Sequence, residues 1–446
     1  MRTIWEGLKQ LTLYKSAMLG LGIIGILVGI SIYTVIAIPY HEAINKWRGG
    51  EEMWLDNPRN AMPAWVNLFG WNLPETIKVD SRTGGEKEVI PLGGETSEVR
   101  IRLTFEYTYD GFPPEVAVAF SATYQVKKPF VAFTWITPDG REYAFGGQEV
   151  RDRERITIST SPELKSLLGM RNPEVGLFLD PDSGDEPRPL KGTYTLVIDG
   201  YVFEEGADLD ARLIVYGEVY GLAGTDAKRR DLMVALLWGT PIALAFGLFG
   251  ALVTSLASLL IAAVGVWYGR FVDGFIQRVT EVRMILPTLP ILIMIGTFYS
   301  RSLWVMLGTI IVLSIFGSAI KSNRAMFLQM KTAPYIEAAR SYGAPNLRIV
   351  FRYLVPKAIP LLIPSFVIMI PSLVFLEASL AYIGLGDPVL PTWGKVLQDA
   401  SQAGALYKGF YYWVLEPAFL LMLTGVGFTA VGFALDRIFN PRLREI

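Results

Sequence analysis

The feature that most constrains the fold is an uncharged run of 38 residues, at positions 232–269. As an α-helix it would be about 57 Å long at 1.5 Å per residue, whereas about 20 apolar residues already cross the hydrocarbon core of a bilayer. Gly239-Thr240-Pro241 offers a break, because proline lacks the N–H that continues a helix. We therefore predict an amphipathic helix at residues 226–238 on the outer membrane surface, followed by a span at residues 242–267.

The first apolar run, residues 16–41, has no charged residue and follows Arg2, Lys9 and Lys15. It is longer than the 7–15 residues of a signal-peptide core, and no Ala-x-Ala cleavage site follows it, so we predict an uncleaved span. Four further apolar runs lie after residue 269, and the start of the first of them could extend back to Phe275. The predicted spans are residues 17–38, 242–267, 284–299, 302–320, 358–384 and 419–435.

Composition narrows the class of protein. Hydrophobic residues make up 51% of the chain, charged residues 19%, and the mean hydropathy is +0.35, which is typical of a membrane protein with a substantial soluble part. There is no cysteine and one histidine, His41, so thiolate chemistry, cysteine metal sites and most nucleophile–base pairs are excluded. We interpret His41 as an interfacial residue, and we expect no catalytic residue, cofactor or metal site on this chain.

The net charge of −1 hides an asymmetry. Residues 41–222 carry 19 Lys+Arg and 30 Asp+Glu, while the rest of the chain carries 22 basic and 12 acidic residues. The basic residues flank apolar runs, which indicates a bilayer rather than a nucleic acid, because short cytoplasmic loops retain Lys and Arg. We predict a plasma-membrane protein with cytoplasmic termini, a cytoplasmic loop at 321–357 and an extracytoplasmic domain at 41–222. Residues 1–40 and 223–446 form the membrane parts.

Residues 41–222 show the pattern of a β-rich domain. Segments alternate apolar and polar residues, or are β-branched and aromatic, and turns such as Asp110-Gly111 separate them. This predicts a sandwich or a partly open barrel, with a short helix at residues 161–170. Residues 181–189 are interpreted as an acidic surface loop, with calcium binding as an alternative that fits no EF-hand spacing. The predicted strands are residues 99–110, 116–126, 130–145, 155–160, 193–204 and 213–221.

The loop at residues 321–357 contains Glu337-Ala338-Ala339-Arg340-Ser341-Tyr342-Gly343. We expect Thr332 to cap a helix with Pro334 in its first turn, where proline is tolerated. Gly343 then ends this helix in a conformation that is cheap only for glycine, and a second helix follows. Small alanines let a partner backbone approach closely, so the pattern favours a docking element. An amphipathic helix lying on the inner membrane surface is the alternative.

Several motifs occur in a fixed order after residue 221. The motifs are Gly224-Thr225-Asp226 with Arg230-Asp231, Glu337-Ala338-Ala339 with Gly343 and Leu354-Val355-Pro356, Glu377-Ala378-Ser379-Leu380 with Gly384-Leu385-Gly386, Pro391-Thr392-Trp393-Gly394, and Asn440-Pro441-Arg442-Leu443. In these motifs the chain resembles the binding-protein-dependent ABC transporter permeases, in particular the second permease of dipeptide/oligopeptide importers. The chain contains no G-x-x-x-x-G-K-[ST] motif of its own.

The resemblance implies a membrane all-α permease domain of six transmembrane helices, like that of a type I ABC importer, with the β-rich domain inserted between helices 1 and 2. It implies that ATP and Mg are bound by two partner ATPase subunits, and that a homologous permease and a solute-binding protein complete the importer in the lipid bilayer. No nucleic acid is implied. The residues implied to couple the chain to the ATPase are Glu337, Ala338, Ala339, Gly343, Arg352 and Pro356. Those implied at the approach to the second span are Asp226, Arg230 and Asp231. Independently of the resemblance, Thr225 or Asp226 is predicted to cap the surface helix at 226–238.

Three departures from the family pattern stand out. Arg229 occupies the position of a family glycine, and Tyr353 occupies a position where the family often has histidine. The third departure is residues 41–222, because the corresponding loop of typical members is much shorter. We expect this extra domain to be a docking platform or cap for the solute-binding protein.

Glu377 lies in the predicted fifth span, roughly 10 Å inside its outer end. A carboxylate there costs about 2.5–3.5 kcal/mol unless it faces protein or water. In one interpretation Glu377 and Ser379 line the translocation path or gate. In the other, Glu377 anchors helix packing through a hydrogen bond to a backbone amide of the turn at residues 384–386 or to the partner permease.

The transported substrate is the least constrained property. The family implies dipeptides or oligopeptides, and oligosaccharides such as cellobiose are the alternative. The aromatic residues at 407–413 are interpreted as an interfacial belt, although aromatic rings can also stack on sugars. Two other classes remain open: a membrane-anchored sensor, which would need fewer spans, and a stand-alone transporter, which would work without ATP.

Overall fold

The computed structural model describes residues 10–184 and 186–439. The predicted motif at residues 440–443, together with Arg2, Lys9 and Arg444, lies outside them. The chain separates into two compact units, Gly49–Met233 and the remainder formed by Met1–Arg48 with Val234–Ile446. We call them the β unit and the helical unit.

The β unit is built from two antiparallel sheets. One has four strands in the order β1-β9-β4-β7, and the other has five in the order β2-β3-β8-β5-β6. The predicted β-rich character is therefore confirmed. Its strands are β1 (Ile77–Asp80), β2 (Glu86–Gly93), β3 (Thr96–Tyr107), β4 (Glu115–Thr123), β5 (Phe130–Ile136), β6 (Glu142–Glu149), β7 (Arg155–Thr157), β8 (Gly192–Val202) and β9 (Asp208–Tyr216).

Alternation of side chains explains why the two sheets pack on each other. Along β3, Ile101, Leu103 and Phe105 are buried while the residues between them are not, because successive strand residues point to opposite faces. At the end of the sandwich Phe105, Phe178 and Tyr194 bring their rings together, with centroids 4.8–6.3 Å apart. The Tyr194 hydroxyl donates to Leu190 O at 2.7 Å, so the ring is buried without leaving its polar atom unsatisfied.

Short helical elements complete the β unit. The helix predicted at 161–170 is present as Pro162–Leu167, and Ser161 Oγ caps it by accepting from Leu164 N at 3.4 Å. The predicted loop at 181–189 includes position 185, which lies outside the described residues.

We label the helices before β8 as α1 (Lys15–Ala37), α2 (Tyr40–Arg48), α3 (Pro162–Leu167) and α4 (Pro173–Gly176).

The helical unit contains the membrane segments. Among the described residues, four helices are long and apolar enough to cross a membrane, or up to six if each of two bent helix pairs is one span. The helices after β9 are α5 (Leu232–Tyr268), α6 (Arg270–Ile285), α7 (Thr288–Phe298), α8 (Leu303–Ile315), α9 (Ser318–Lys331), α10 (Pro334–Ser341), α11 (Asn346–Arg348), α12 (Val355–Leu380), α13 (Trp393–Gln402) and α14 (Tyr412–Phe439).

The prediction of a surface helix at 226–238 and a break at Pro241 is wrong. Residues 224–231 form a turn, and α5 runs unbroken through Pro241. A proline leaves the carbonyl four residues earlier without its helical donor. The Thr34 hydroxyl of α1 lies 3.4 Å from that carbonyl, Leu237 O, but it makes a shorter bond, of 2.8 Å, to Ile30 O in its own helix. The neighbouring helix therefore brings a polar atom near the freed carbonyl without fully replacing the lost bond.

Several predicted boundaries shift. The β unit begins at Gly49 instead of residue 41, because residues 40–48 form α2, which buries Ala43 and Trp47. The residues before the predicted span at 284–299 are also helical, because α6 begins at Arg270. The helices α6 and α7 make a pair bent by 79°, and α8 and α9 make a pair bent by 41°. The fifth and sixth apolar segments begin earlier than predicted, in the helix that starts at Asn346 and in α14.

Helix packing in the membrane part uses small residues. A Cβ added to Gly20 of α1 would lie 2.7 Å from Gly427 O of α14. Only glycine permits this approach, which is the usual way in which membrane helices come close. One turn before Gly20, Ala17 lies in a buried cluster with Leu435 of α14 and with Leu11, which precedes α1.

Candidate functional site

The loop predicted to dock a partner folds around α10. Pro334 lies in the first turn, as predicted, but the N-cap is Ala333 and not Thr332. Thr332 instead ends α9, where its hydroxyl donates to Gln329 O at 3.1 Å. Gly343 follows α10 with φ +72° and donates its N–H to Arg340 O at 2.9 Å, so the predicted left-handed glycine is confirmed.

The two faces of α10 have different environments. Ile336 and Ala339 are buried in an apolar cluster with Phe327 and Val350. Glu337, Ala338 and Gly343 are exposed, and the side chain of Tyr342 is 91% exposed. Within the part of the chain that the structure describes, the Glu337 carboxylate has no ion-pair partner. Half of the motif therefore holds α10 in place, and the other half faces outwards.

Basic residues of this loop fix it to the preceding helices. Lys331 Nζ donates to Val266 O at 2.6 Å and Trp267 O at 3.1 Å, at the C-terminal end of α5, where a helix dipole favours a cation. Arg324 makes a bidentate pair with Asp273, at 2.6–3.0 Å. The positive charge predicted to mark the side of the membrane therefore also anchors the loop.

The second predicted helix of the loop is the start of a much longer one. It begins at Asn346, after Pro345, and continues through Leu354-Val355-Pro356 into α12 without a break. Arg352 lies on an exposed face of a π-helical turn, and Pro356 is exposed in the first turn of α12. The chain therefore connects α10, through residues 342–345, to a helix that continues into an apolar segment.

The motif at residues 224–231, which we call the Gly-Thr-Asp turn, has its Thr225, Asp226 and Arg230 side chains buried away from solvent. Asp226 accepts from the backbone N–H groups of Lys228 and Arg230, at 2.8 and 2.9 Å, and from Arg230 Nε at 2.6 Å. Burial raises the pKa of Asp226, although the paired Arg230 acts in the opposite direction. Asp231 accepts from Met233 N at 2.9 Å and so caps the start of α5.

Arg229 is a functional residue whose role the sequence did not reveal. Its backbone has φ +64°, which explains why the family pattern has glycine there. Its guanidinium is fully buried, donates to Asn57 O at 2.8 Å and Glu115 Oε2 at 2.5 Å, and lies 4.5 Å from the ring centre of Tyr216. The departure from the family pattern was the available signal, and the contacts show that it ties the turn to β4 and β9.

Glu377 lies inside the helical unit, with a side chain only 5% exposed. Its Oε1 has no hydrogen-bond partner among the described residues, and the side chain of Thr392 lies near its carboxyl group. Next to it is a cavity of about 10 Å³ lined by Arg301, Met306 and Asp387 among others, which is about the size of one water molecule. Ser379 is exposed and donates to Phe375 O in its own helix at 2.7 Å.

Two of the predicted motifs meet at this point. Trp393 Nε1 donates to Leu236 O of α5 at 3.0 Å, and a Cβ on Gly394 would lie 2.7 Å from the Cα of Ala378. The Pro-Thr-Trp-Gly motif and the Glu-Ala-Ser-Leu motif therefore form one packed joint. The structure brings Glu377 to this joint and leaves α10 and its exposed face as a separate surface.

Comparison with known proteins gives a consistent result. Residues 254–445 match the family described as binding-protein-dependent transport system inner membrane component. The chain is 28% identical over 226 residues to the oligopeptide transport system permease protein OppC of Bacillus subtilis, covering 50% of this chain and 72% of that protein. It is 29% identical to the dipeptide transport system permease protein DppC of the same organism, covering 50% and 69%. It is 27% identical to the glutathione transport system permease protein GsiD of Pectobacterium atrosepticum, covering 50% and 73%.

Proposed function

We propose a function from the similarity of residues 254–445 of this multi-pass membrane protein to the binding-protein-dependent transport system inner membrane components. On that basis the chain is a permease subunit of an ABC importer. We infer that it forms the translocation path together with a homologous permease, that a solute-binding protein delivers the substrate, and that the chain itself catalyses no reaction. ATP and Mg are then bound on two partner ATPase subunits.

The exposed face of α10 carries the proposal of ATPase coupling. Glu337, Ala338 and Gly343 face outwards on a short helix whose other face is packed and whose neighbours are pinned by Lys331 and Arg324. Small residues on this surface let a partner backbone come close, and the Glu337 carboxylate has no ion-pair partner among the described residues. Both features fit a surface that docks into a groove of another protein. Movement of such a groove would be transmitted to the long helix that begins at Asn346.

The test of this assignment is recovery of the ATPase. Wild-type chain purified from membranes in mild detergent should bring the ATPase subunits with it, whereas Glu337→Lys should lose them. Glu88→Lys is a matched control, since Glu88 is also exposed but lies on β2 of the β unit. Equal recovery of the ATPase with Glu337→Lys would contradict coupling through α10.

For the topology we propose six spans with both termini in the cytoplasm and residues 41–222 outside. The two bent helix pairs supply the third and fourth spans, and the basic loop at 321–357 lies inside. Because the chain has no cysteine, Val126→Cys and Tyr342→Cys can be labelled individually in intact cells. A membrane-impermeant maleimide should modify the first only, and labelling of the second would reverse the topology.

For the substrate we propose dipeptides or oligopeptides. The support is that similar proteins are described as oligopeptide, dipeptide and glutathione permeases. Oligosaccharides such as cellobiose are the second candidate, favoured only by the aromatic residues at 407–413, of which Tyr407 and Tyr411 are exposed. Competition of unlabelled peptides or cellobiose against uptake by the complete importer separates the two.

For the β unit we propose a docking platform or cap for the solute-binding protein. Its own sandwich core and its absence from the family match support a separate role. Deleting residues 50–215 should weaken association with that protein. Unchanged association and uptake after the deletion would refute this role.

A further inference from the structure

One segment of the β unit differs in chemistry from all of its surroundings. Residues 60–74 contain no charged side chain, although residues 41–222 carry 19 basic and 30 acidic residues in total. Large apolar side chains at its tip face solvent: Leu68 is 86% and Phe69 72% exposed, and Trp65 and Trp71 are also exposed. We call residues 65–71, together with the exposed Leu222, the apolar tip.

The apolar tip is held in a fixed shape. Asn67 closes the turn on both sides, because its Nδ2 donates to Leu73 O at 3.0 Å and its Oδ1 accepts from Leu73 N at 2.8 Å. Trp65 Nε1 donates to Leu222 O at 3.0 Å, and the rings of Trp65 and Phe69 lie 6.3 Å apart. Large apolar groups that are both ordered and exposed indicate a binding surface, since a soluble face of this composition promotes aggregation.

The apolar tip lies close, along the chain, to the start of the apolar helix α5. Ala64 N donates to Gly221 O at 2.8 Å, so the segment runs beside residues 218–222. Two residues further on, Gly224 O accepts from Leu232 N at 3.1 Å, and Leu232 is the first residue of α5. The tip is therefore attached, through one short turn, to the end of a helix that is long and apolar enough to cross a membrane.

We propose that the apolar tip inserts into the headgroup region of the lipid bilayer next to the start of α5. Tryptophan concentrates at that depth because its ring is apolar and its N–H is polar, and leucine and phenylalanine add buried apolar area. A protein partner is the other occupant to consider. Residues 60–74 carry no charged side chain, whereas the rim of a protein interface is polar, so an uncharged tip beside the start of an apolar helix matches lipid better.

The experiment uses the absence of cysteine in the chain. Leu68→Cys carries a nitroxide label, and the protein is purified with its accompanying subunits and reconstituted in phosphatidylethanolamine–phosphatidylglycerol vesicles. Val126→Cys is the matched control, because Val126 is also an apolar side chain of the β unit and is 82% exposed. Collision of each label with oxygen, which partitions into lipid, is compared with collision with a nickel chelate, which stays in water.

The label at position 68 should collide with oxygen several-fold more often than with the nickel chelate, and the label at 126 should show the reverse. If the label at position 68 instead collides with the nickel chelate as often as the label at 126 does, the tip lies in water and the proposal is overturned. Protection from both reagents would mean contact with protein and would overturn it equally. Because these readings need no transport, their failure is distinguishable from failure of the importer assignment.

Discussion

Two short motifs of this chain look alike in sequence and are used in opposite ways. The Gly-Thr-Asp turn and the α10 motif each combine a small residue, a carboxylate and arginine. In the first, Asp226 and Arg229 are fully buried and hydrogen-bonded within the β unit. In the second, Glu337 and Gly343 face solvent, and the carboxylate has no partner among the described residues.

The difference separates stability from partner binding. A buried charge must be paired and hydrogen-bonded, so removing a partner leaves an uncompensated group and costs several kcal/mol. An exposed side chain contributes little to folding, usually within about 0.5 kcal/mol, so an effect of its mutation on transport must come from what binds it. The two motifs should therefore respond to mutation in different assays.

The largest effect is expected from Gly343→Asp, which should abolish uptake by the complete importer. An added Cβ at Gly343 meets nothing within 4 Å, so the cost to folding is about 1 kcal/mol, from the left-handed backbone alone. The new carboxylate instead enters the proposed docking surface. Uptake of labelled peptide into cells is the measurement.

Gly409→Asp is the matched control for that variant. Gly409 also has positive φ, at +84°, and an equally open surrounding, but it lies far along the chain from α10. It should retain uptake. If Gly343→Asp also retains uptake, the exposed face of α10 is not a docking surface, and the proposed difference between the two motifs is contradicted.

Arg229→Ala should have the opposite profile, with a large loss of stability in the β unit. Loss of the side chain removes the guanidinium donor to Asn57 O and the closer of the two cations over the Tyr216 ring, leaving Arg155 at 5.2 Å. Glu115 keeps its ion pair with Arg155 at 2.6 Å. We expect about 2–3 kcal/mol of lost local stability, seen as faster amide hydrogen exchange in β4 and β9. Unchanged exchange would show that the guanidinium contributes no net stability.

Arg229→Gly sharpens the same comparison. Glycine removes the guanidinium but also relieves the positive φ of +64°, so it should be less destabilising than alanine by about 1 kcal/mol. The difference in exchange rates between the two variants measures this backbone term. Identical rates would mean that the backbone relaxes when the side chain is lost.

The sequence predicted features that depend on neighbours in the chain. Alternation along β3, Pro334 in the first turn of α10 and the left-handed Gly343 all follow from local patterns, and the structure confirms them. The charge asymmetry likewise separated the acidic β unit from the membrane segments.

Features that depend on distant partners were missed. The sequence near Pro241 did not show that α5 continues through it, and Thr34, whose hydroxyl lies 3.4 Å from the freed carbonyl, is about two hundred residues earlier. The contacts of Arg229 could not be predicted from its neighbours in the chain, because its partner Glu115 is 114 residues away in the sequence.

The smallest effect concerns acid stability of the β unit, where charges on the open face of a sheet are paired. Although burial acts to raise the pKa of Asp210, hydrogen bonds from Lys87 and Arg82, at 2.9 and 2.8 Å, hold it below its usual range. Between the two pKa values the folded state therefore binds fewer protons than the unfolded chain, so this stability is present at neutral pH. It is lost as the pH falls below about 4 and through the folded-state value.

Asp210→Asn should accordingly cost about 0.5–1 kcal/mol at pH 7, since the pair is partly exposed to solvent, and the cost should decrease as the pH falls below about 4. Hydrogen exchange in β9 followed from pH 7 to pH 3 gives the measurement, with Asp208→Asn as the control because Asp208 pairs with Lys87 from a more exposed position. A cost independent of pH would assign the effect of Asp210 to packing and its bond with Ser81. In that case the paired charges of the β unit would resemble the exposed face of α10 in contributing nothing to folding.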